Sequence, residues 1–201
     1  MSDRPPATIG RPRLFDEEAV LSRLTALFWR QGYSQTTVAQ IVQASGVHKP
    51  SLYRTFGGKD ELFAKVLRRY LAERMQMFAD MIEQAGPGIE GIHTFLDLFE
   101  ADAVSERGRD GCLMVMASNE LRGRLPGYDF STDYRQQMGQ QIENLVTRGL
   151  SGAEPDVIRS RADLLTTSLL GLQVIMRSGA SAEEIRRYLQ AVHLAAESWR
   201  A

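Results

Sequence analysis

One cysteine in 201 residues, Cys112, excludes an internal disulfide and a cysteine-based zinc finger. Such usage fits a reducing compartment, and a cytoplasmic location is expected. No apolar run approaches the roughly 18 residues that a bilayer span needs. The arginines near the N-terminus are followed by no apolar stretch, so no secretory signal is expected. Convincing period-two alternation is missing, which leaves strands without support. H-E-x-x-H, P-loop and nucleophile-elbow patterns are absent, and the three histidines, His48, His93 and His193, stand far apart in the chain. These absences argue against an enzyme, and no cofactor or metal is expected.

What is present is helical. The apolar fraction is 43% and the charged fraction 24%, enough for a core under an ordinary polar surface. The net charge of −1 hides an asymmetry: residues 1–69 carry 11 Lys+Arg against 6 Asp+Glu, and residues 70–201 carry 13 against 19. A basic N-terminal third suits a surface that meets phosphates.

Residues 1–13, rich in Pro, Arg and Gly, read as a flexible basic arm. Helical spacing starts at Phe15, with Asp16 as N-cap, and Gly32 ends that helix. Further helices are expected at about 59–84, 89–104, 112–123, 130–149, 155–178 and 182–199, separated by Gly, Pro and Ser breaks. Between the first helix and residue 59 lie two short helical patterns joined by Ala44-Ser45-Gly46-Val47. Thr37 and Gln40 form a capping-box pair at the entry of the first. Pro50 is tolerated only in the first turn of the second, which therefore starts at about His48 or Lys49. Ile41 and Val42 supply the buried side of one, Leu52, Tyr53 and Phe56 that of the other, while His48, Lys49, Ser51 and Arg54 stay polar. This is a helix-turn-helix, whose second helix is free to enter a DNA major groove. The expected fold is all-α with about nine helices.

Phe28-Trp29-Arg30-Gln31-Gly32-Tyr33, Thr36-Thr37-Val38, Ile41, Ser45-Gly46-Val47, Lys49, Ser51-Leu52-Tyr53, Phe56 and Lys59-Asp60-Glu61-Leu62 resemble the TetR family of bacterial transcriptional regulators over residues 14–64. The resemblance implies three head helices, a body whose last two helices pair in a homodimer, an operator DNA partner, usual action as a repressor, and release by a small-molecule effector. The implied division is a DNA-binding head at 14–58 and a ligand-binding and dimerisation body at 59–201. Val42, where alanine is frequent in the family, and Gly58, where a capping side chain is frequent, are departures.

In such a head Lys49 is placed to donate to a guanine, with His48 and Ser51 beside it, His48 on a base, on a phosphate or merely solvated. Tyr53 has a phosphate-binding reading and a structural one. Thr37 offers a hydroxyl and helix N-terminal amides to a phosphate, and Lys59 repeats this at the next helix. Arg11 and Arg13 are candidate arm contacts. In the body Phe95, Leu98, Phe99, Cys112, Met114, Met116, Tyr134, Met138, Leu170, Val174 and Met176, with the polar Asn119, Glu120, Tyr128 and Gln173, are candidate ligand contacts. The same set at helical spacing also reads as core. Cys112 is either a small buried hydrophobe or a thiol sensor of oxidants and electrophiles, with Arg107 and Arg109 as activating cations. The apolar surface of 155–178 and 182–199 fits a four-helix bundle between two copies, or else a monomeric core.

Overall fold

The computed structural model describes residues 15–121 and 129–200, apart from the side chains of Asn119 and Leu121. The arm at 1–13, with Arg11 and Arg13, and Tyr128 lie outside the described residues, as does the side chain of Asn119. Among the described residues the order is α1 (Glu17–Gln35), α2 (Val38–Ser45), α3 (Lys49–Phe56), α4 (Lys59–Ala85), α5 (Gly88–Ala103), α6 (Leu113–Leu121), α7 (Phe130–Gly149), α8 (Pro155–Arg177) and α9 (Ala182–Glu197), with no strand. No helix among them is long and apolar enough to cross a membrane.

The local signals act where the chain places them. The Asp16 carboxylate accepts from the Glu18 and Ala19 amides, satisfying two of the free N–H groups at the start of α1. Gly32 breaks the helical path at φ 81°, ψ 171°, and a further short turn carries the chain to Gln35. The Thr37–Gln40 capping box is closed in both directions at α2. Gly46 ends α2 in the left-handed region, at φ 68°. Pro50 stands in the first turn of α3, and Gly58 leaves α4 without a side-chain cap.

α4 positions everything else. It packs against α1 and α3 on the head side and against α5, α6 and α7 in the body. Phe63 on α4 meets Phe28 at 4.5 Å and Tyr33 at 5.0 Å between ring centroids, so the head completes its core with the body's first helix. One apolar cluster runs from Val20 through Ile41, Leu52 and Phe56 to Leu189 and Trp199. A continuous core of this kind makes the 27-residue α4 a rigid connector.

Candidate DNA-reading surface and its coupling to the body

Leu52 and Phe56 are buried, which turns the opposite side of α3 outward. His48, Lys49, Pro50 and Arg54 are exposed, and Ser51 and Tyr53 half-buried. His48 is the N-cap of α3 but makes no side-chain cap bond, so its imidazole is not committed to the helix. The Lys49 ammonium stands 5.9 Å from the centre of the Tyr53 ring, which pre-orients a flexible cation on the outer face. The Arg23 guanidinium donates to the Ser45 carbonyl at 2.7 Å, and Gln31 donates to Gln40 at 3.1 Å, tying both ends of α2 to α1.

Two expected phosphate contacts take a different form. The Thr37 hydroxyl donates to Gln40 Oε1 at 2.9 Å and accepts from the Gln40 amide at 3.3 Å. Its proton is spent on the cap, so the Val38 and Ala39 amides are the donors left at that helix start. Lys59 Nζ sits 4.1 Å from the centre of the Tyr33 ring, whose hydroxyl donates to Asp60. Burial holds the Lys59 ammonium below its ordinary pKa, against the opposing pull of Asp60 and Glu120.

Several body residues that sequence reasoning grouped as ligand contacts are packed. Phe95 and Phe99 stack on Phe78 at 6.0 and 6.1 Å, and Tyr134, Met138 and Gln173 are buried. Met116 and Leu170 are half-buried. Val174 does not join them: it is 53% exposed, because successive residues of α8 point about 100° apart and Gln173 takes the inward direction. Glu120 faces the head in this structure. Its carboxylate reaches back to the head and accepts from the Tyr33 amide at 2.7 Å and the Ser34 amide at 3.0 Å. Arg177 on α8 donates to the Arg30 carbonyl at 3.2 Å. Head and body are therefore joined by α6 and α8 as well as by α4.

Cys112 is 2% exposed. The Tyr70 hydroxyl donates to its sulfur at 3.6 Å and accepts from the Leu113 amide at 3.3 Å. The Tyr134 hydroxyl faces the same thiol without a well-formed hydrogen bond. Burial, reinforced by Cys112, pushes both phenols well above their usual pKa. A cation that feels this thiol is Arg74, one turn from Tyr70, whereas the sequence suggested the upstream Arg107 and Arg109. Burial pulls its guanidinium down, but Tyr70, Cys112 and Asp102 outweigh that and hold it above its ordinary value. The i,i+4 spacing of Tyr70 and Arg74 was the signal available in the sequence.

The histidines, remote in sequence, are not all remote in space. His93 and His193 stack at 5.2 Å, with their Nδ1 atoms 2.8 Å apart. Glu197 meets His93 at 3.0 Å, and Asp97 meets His193 at 3.4 Å. No group of three or more His, Cys, Asp or Glu among the described residues is arranged to hold a metal ion.

An exposed α3 start behind a capped α2 is the geometry of a groove-reading head, and the comparisons agree. The family model "Bacterial regulatory proteins, tetR family" matches residues 20–66, which span the three head helices and the start of α4. The chain belongs to the TetR family. The repressor ComR of Escherichia coli (strain K12) is 29% identical over 190 residues, covering 88% of this chain and 86% of that protein. BdcR, a repressor from the same strain, is 27% identical over 178 residues with the same coverage. A cysteine mutant of the TetR family regulator CifR, complexed with 26bp double-strand operator DNA, superposes with a TM-score of 0.76 at 28% identity, covering 94% of this chain and 100% of that one. The family places this protein among DNA-binding transcriptional regulators, a class that is generally not enzymatic.

Proposed function

We propose that the protein is a repressor that binds a palindromic operator as a homodimer and is released by a small molecule bound in its body. The observation that carries the DNA side is the uncommitted, outward row at the start of α3: His48, Lys49 and Ser51 for the bases, with Tyr53, Lys59 and the α2 amides for phosphates. Residues 14–58 act as the reading head and 59–201 as the sensing and pairing body, with residues 1–13 as an accessory arm.

The dimer reading is supported by a stripe on α8. Val157, Ser160, Leu164, Thr167, Gly171 and Val174 alternate at three- and four-residue steps, and all are exposed. Leu164 is 48% exposed, and α9 adds Tyr188 at 40% and Leu194 at 64%. A Cβ at Gly171 would meet nothing within 4 Å, so this point is open to a second helix. Two copies of α8 and α9 make a four-helix bundle that hides these side chains.

For the effector, Phe95, Phe99, Met116, Asn119, Tyr134, Met138, Leu170 and Gln173 remain the body residues proposed to respond to a ligand, by opening the packed interior. Val174 is reassigned to the dimer stripe. Glu120 and Arg177 supply the transmission: a ligand that shifts α6 or α8 pulls on the 30–34 segment next to the helix-turn-helix. Selection of bound duplexes from a random pool tests the operator and homodimer reading. Recovery of an inverted repeat bound by two chains supports it, and recovery of no sequence preference overturns it.

A second reading is favoured by the surroundings of Cys112. A phenol donor and a guanidinium on one thiol are the groups a thiolate needs. In that reading an oxidant or electrophile modifies Cys112 and the protein leaves DNA. Release of the Cys112→Ser protein by diamide, as readily as wild type, rejects it.

A further inference from the structure

His93 of α5 and His193 of α9 meet through like atoms, and that limits the protons they can hold. Their Nδ1 atoms are 2.8 Å apart and the ring planes lie within 7° of each other. A hydrogen bond of that length has one donor and one acceptor, so one Nδ1 carries a proton and the other a lone pair. The outer nitrogens face carboxylates, which only accept. His93 Nε2 is 3.0 Å from Glu197, and His193 Nε2 is 3.4 Å from Asp97.

Three N–H protons on the four ring nitrogens satisfy all of these contacts and give the pair one positive charge. With two protons, one carboxylate faces a lone pair. With four, two N–H groups meet head-on. Burial holds the His193 imidazole below its ordinary pKa and His93 adds to this, against Asp97 and Glu100. The charged groups on this contact are Glu90, Asp97 and Glu100 of α5, Arg186 and Glu197 of α9, and Arg200 just beyond α9. Arg200 bonds Glu197 and Glu90, and Arg186 meets Glu100 at 3.3 Å. Among the described residues, no ionisable group of α4 or α7, which also pack on α5, or of α8, which packs on α9, bonds either imidazole.

We propose that His93 and His193 form a proton-operated clasp: one shared proton, with a single charge between Asp97 and Glu197, holds the end of α9 to α5, and a second proton opens it. In acid the two Nδ1–H groups repel, and the end of α9 that carries the buried Trp199 lifts from the body. His193 precedes the outward Leu194, so opening bears on the surface proposed for pairing. The clasp itself does not rest on the dimer reading, because both of its groups belong to one chain.

A pH titration of the ring nitrogens by NMR, on full-length protein labelled with 15N-histidine, counts the protons. The His93 and His193 signals move together in two steps more than about one pH unit apart, with a plateau near about pH 6.5 where the pair carries one charge. On that plateau the two Nδ1 nuclei are coupled across the hydrogen bond. Trp29→Phe leaves Trp199 as the sole indole, and its emission shifts to the red through the acid step while far-UV circular dichroism is unchanged. Adding His93→Asn keeps a neutral polar group opposite His193 and removes that emission step. Independent single-step titrations of the two rings, a neutral pair at pH 6.5, emission unmoved through the acid step, or the same step with His93→Asn overturns the proposal. If Trp29→Phe fails to fold, deuterium exchange of the 194–199 amides in the unaltered chain takes its place, and exchange that does not quicken through the acid step overturns the clasp. Light scattering tests pairing separately, so a failed clasp and a failed dimer are distinguishable.

Discussion

Gly32→Ala reports on the junction between α6 and the head more directly than any other single change. Gly32 holds φ 81°, ψ 171°, a region that is essentially glycine-only and costs other residues about 1–3 kcal/mol. Space is the second difficulty. A Cβ at this position would lie 2.4 Å from Glu120 Oε1, so the carboxylate has to move away. It then loses its bonds to the part-buried Tyr33 amide and the exposed Ser34 amide, each contributing about 1 kcal/mol net. The expected destabilisation is about 3–5 kcal/mol, a large share of a typical domain's 5–15. Glu120→Ala alone loses the two bonds without backbone strain, about 2 kcal/mol. In the double variant those bonds can be lost only once, so its destabilisation falls about 2 kcal/mol short of the sum of the singles. Urea unfolding at one fixed protein concentration measures all three, since pairing makes apparent stability concentration-dependent. Additive losses, or a Gly32→Ala change below about 0.5 kcal/mol, would refute the coupling of Gly32 to Glu120.

Other expectations follow from the same geometry. Lys49→Ala lowers affinity for the selected operator by about 10- to 100-fold with a smaller effect on random DNA, whereas Lys59→Ala weakens both alike; gel-shift titrations on the two duplexes separate these outcomes, and equal losses for Lys49→Ala remove its base-reading role. Leu194→Glu puts a charge on the outward α9 surface and yields a folded monomer by light scattering; a dimer unaffected by it moves the interface elsewhere. Burial holds the His193 imidazole below its ordinary pKa, with Asp97 and Glu100 opposing and His93 assisting. The unfolded chain then binds more protons, so this contribution is complete above about pH 6.5 and is lost below it, as pH falls through the depressed folded-state pKa. His193→Asn flattens the decline, and an identical pH profile in the variant assigns it to other groups.

The helix boundaries were legible because the signals that set them act over three or four residues. Asp16 caps the two amides just after it, Gln40 closes on Thr37, and Pro50 excludes all but the first turn of its helix. The outward row of α3 was legible for a related reason. Leu52 and Phe56 select the buried side of a short helix, and the remaining residues then point to solvent. Val174 shows where periodicity stops being enough. α8 is apolar on several sides, and its sequence alone does not say which side meets the interior and which a second chain.

Long-range pairings lay beyond sequence reasoning. Glu120 and Tyr33 are 87 residues apart, Tyr70 and Cys112 are 42 apart, and His93 and His193 are 100 apart. A glutamate on a helix is polar surface by its local pattern; only the packing of α6 against α1 turns it into the acceptor for two head amides. The family, the helical order and the outward row of α3 follow from local patterns, since hydrogen bonding, capping and hydrophobic spacing operate within a turn or two. The latch at Glu120 and the surroundings of Cys112 were decided by packing, because each requires groups from separate helices within about 3–4 Å.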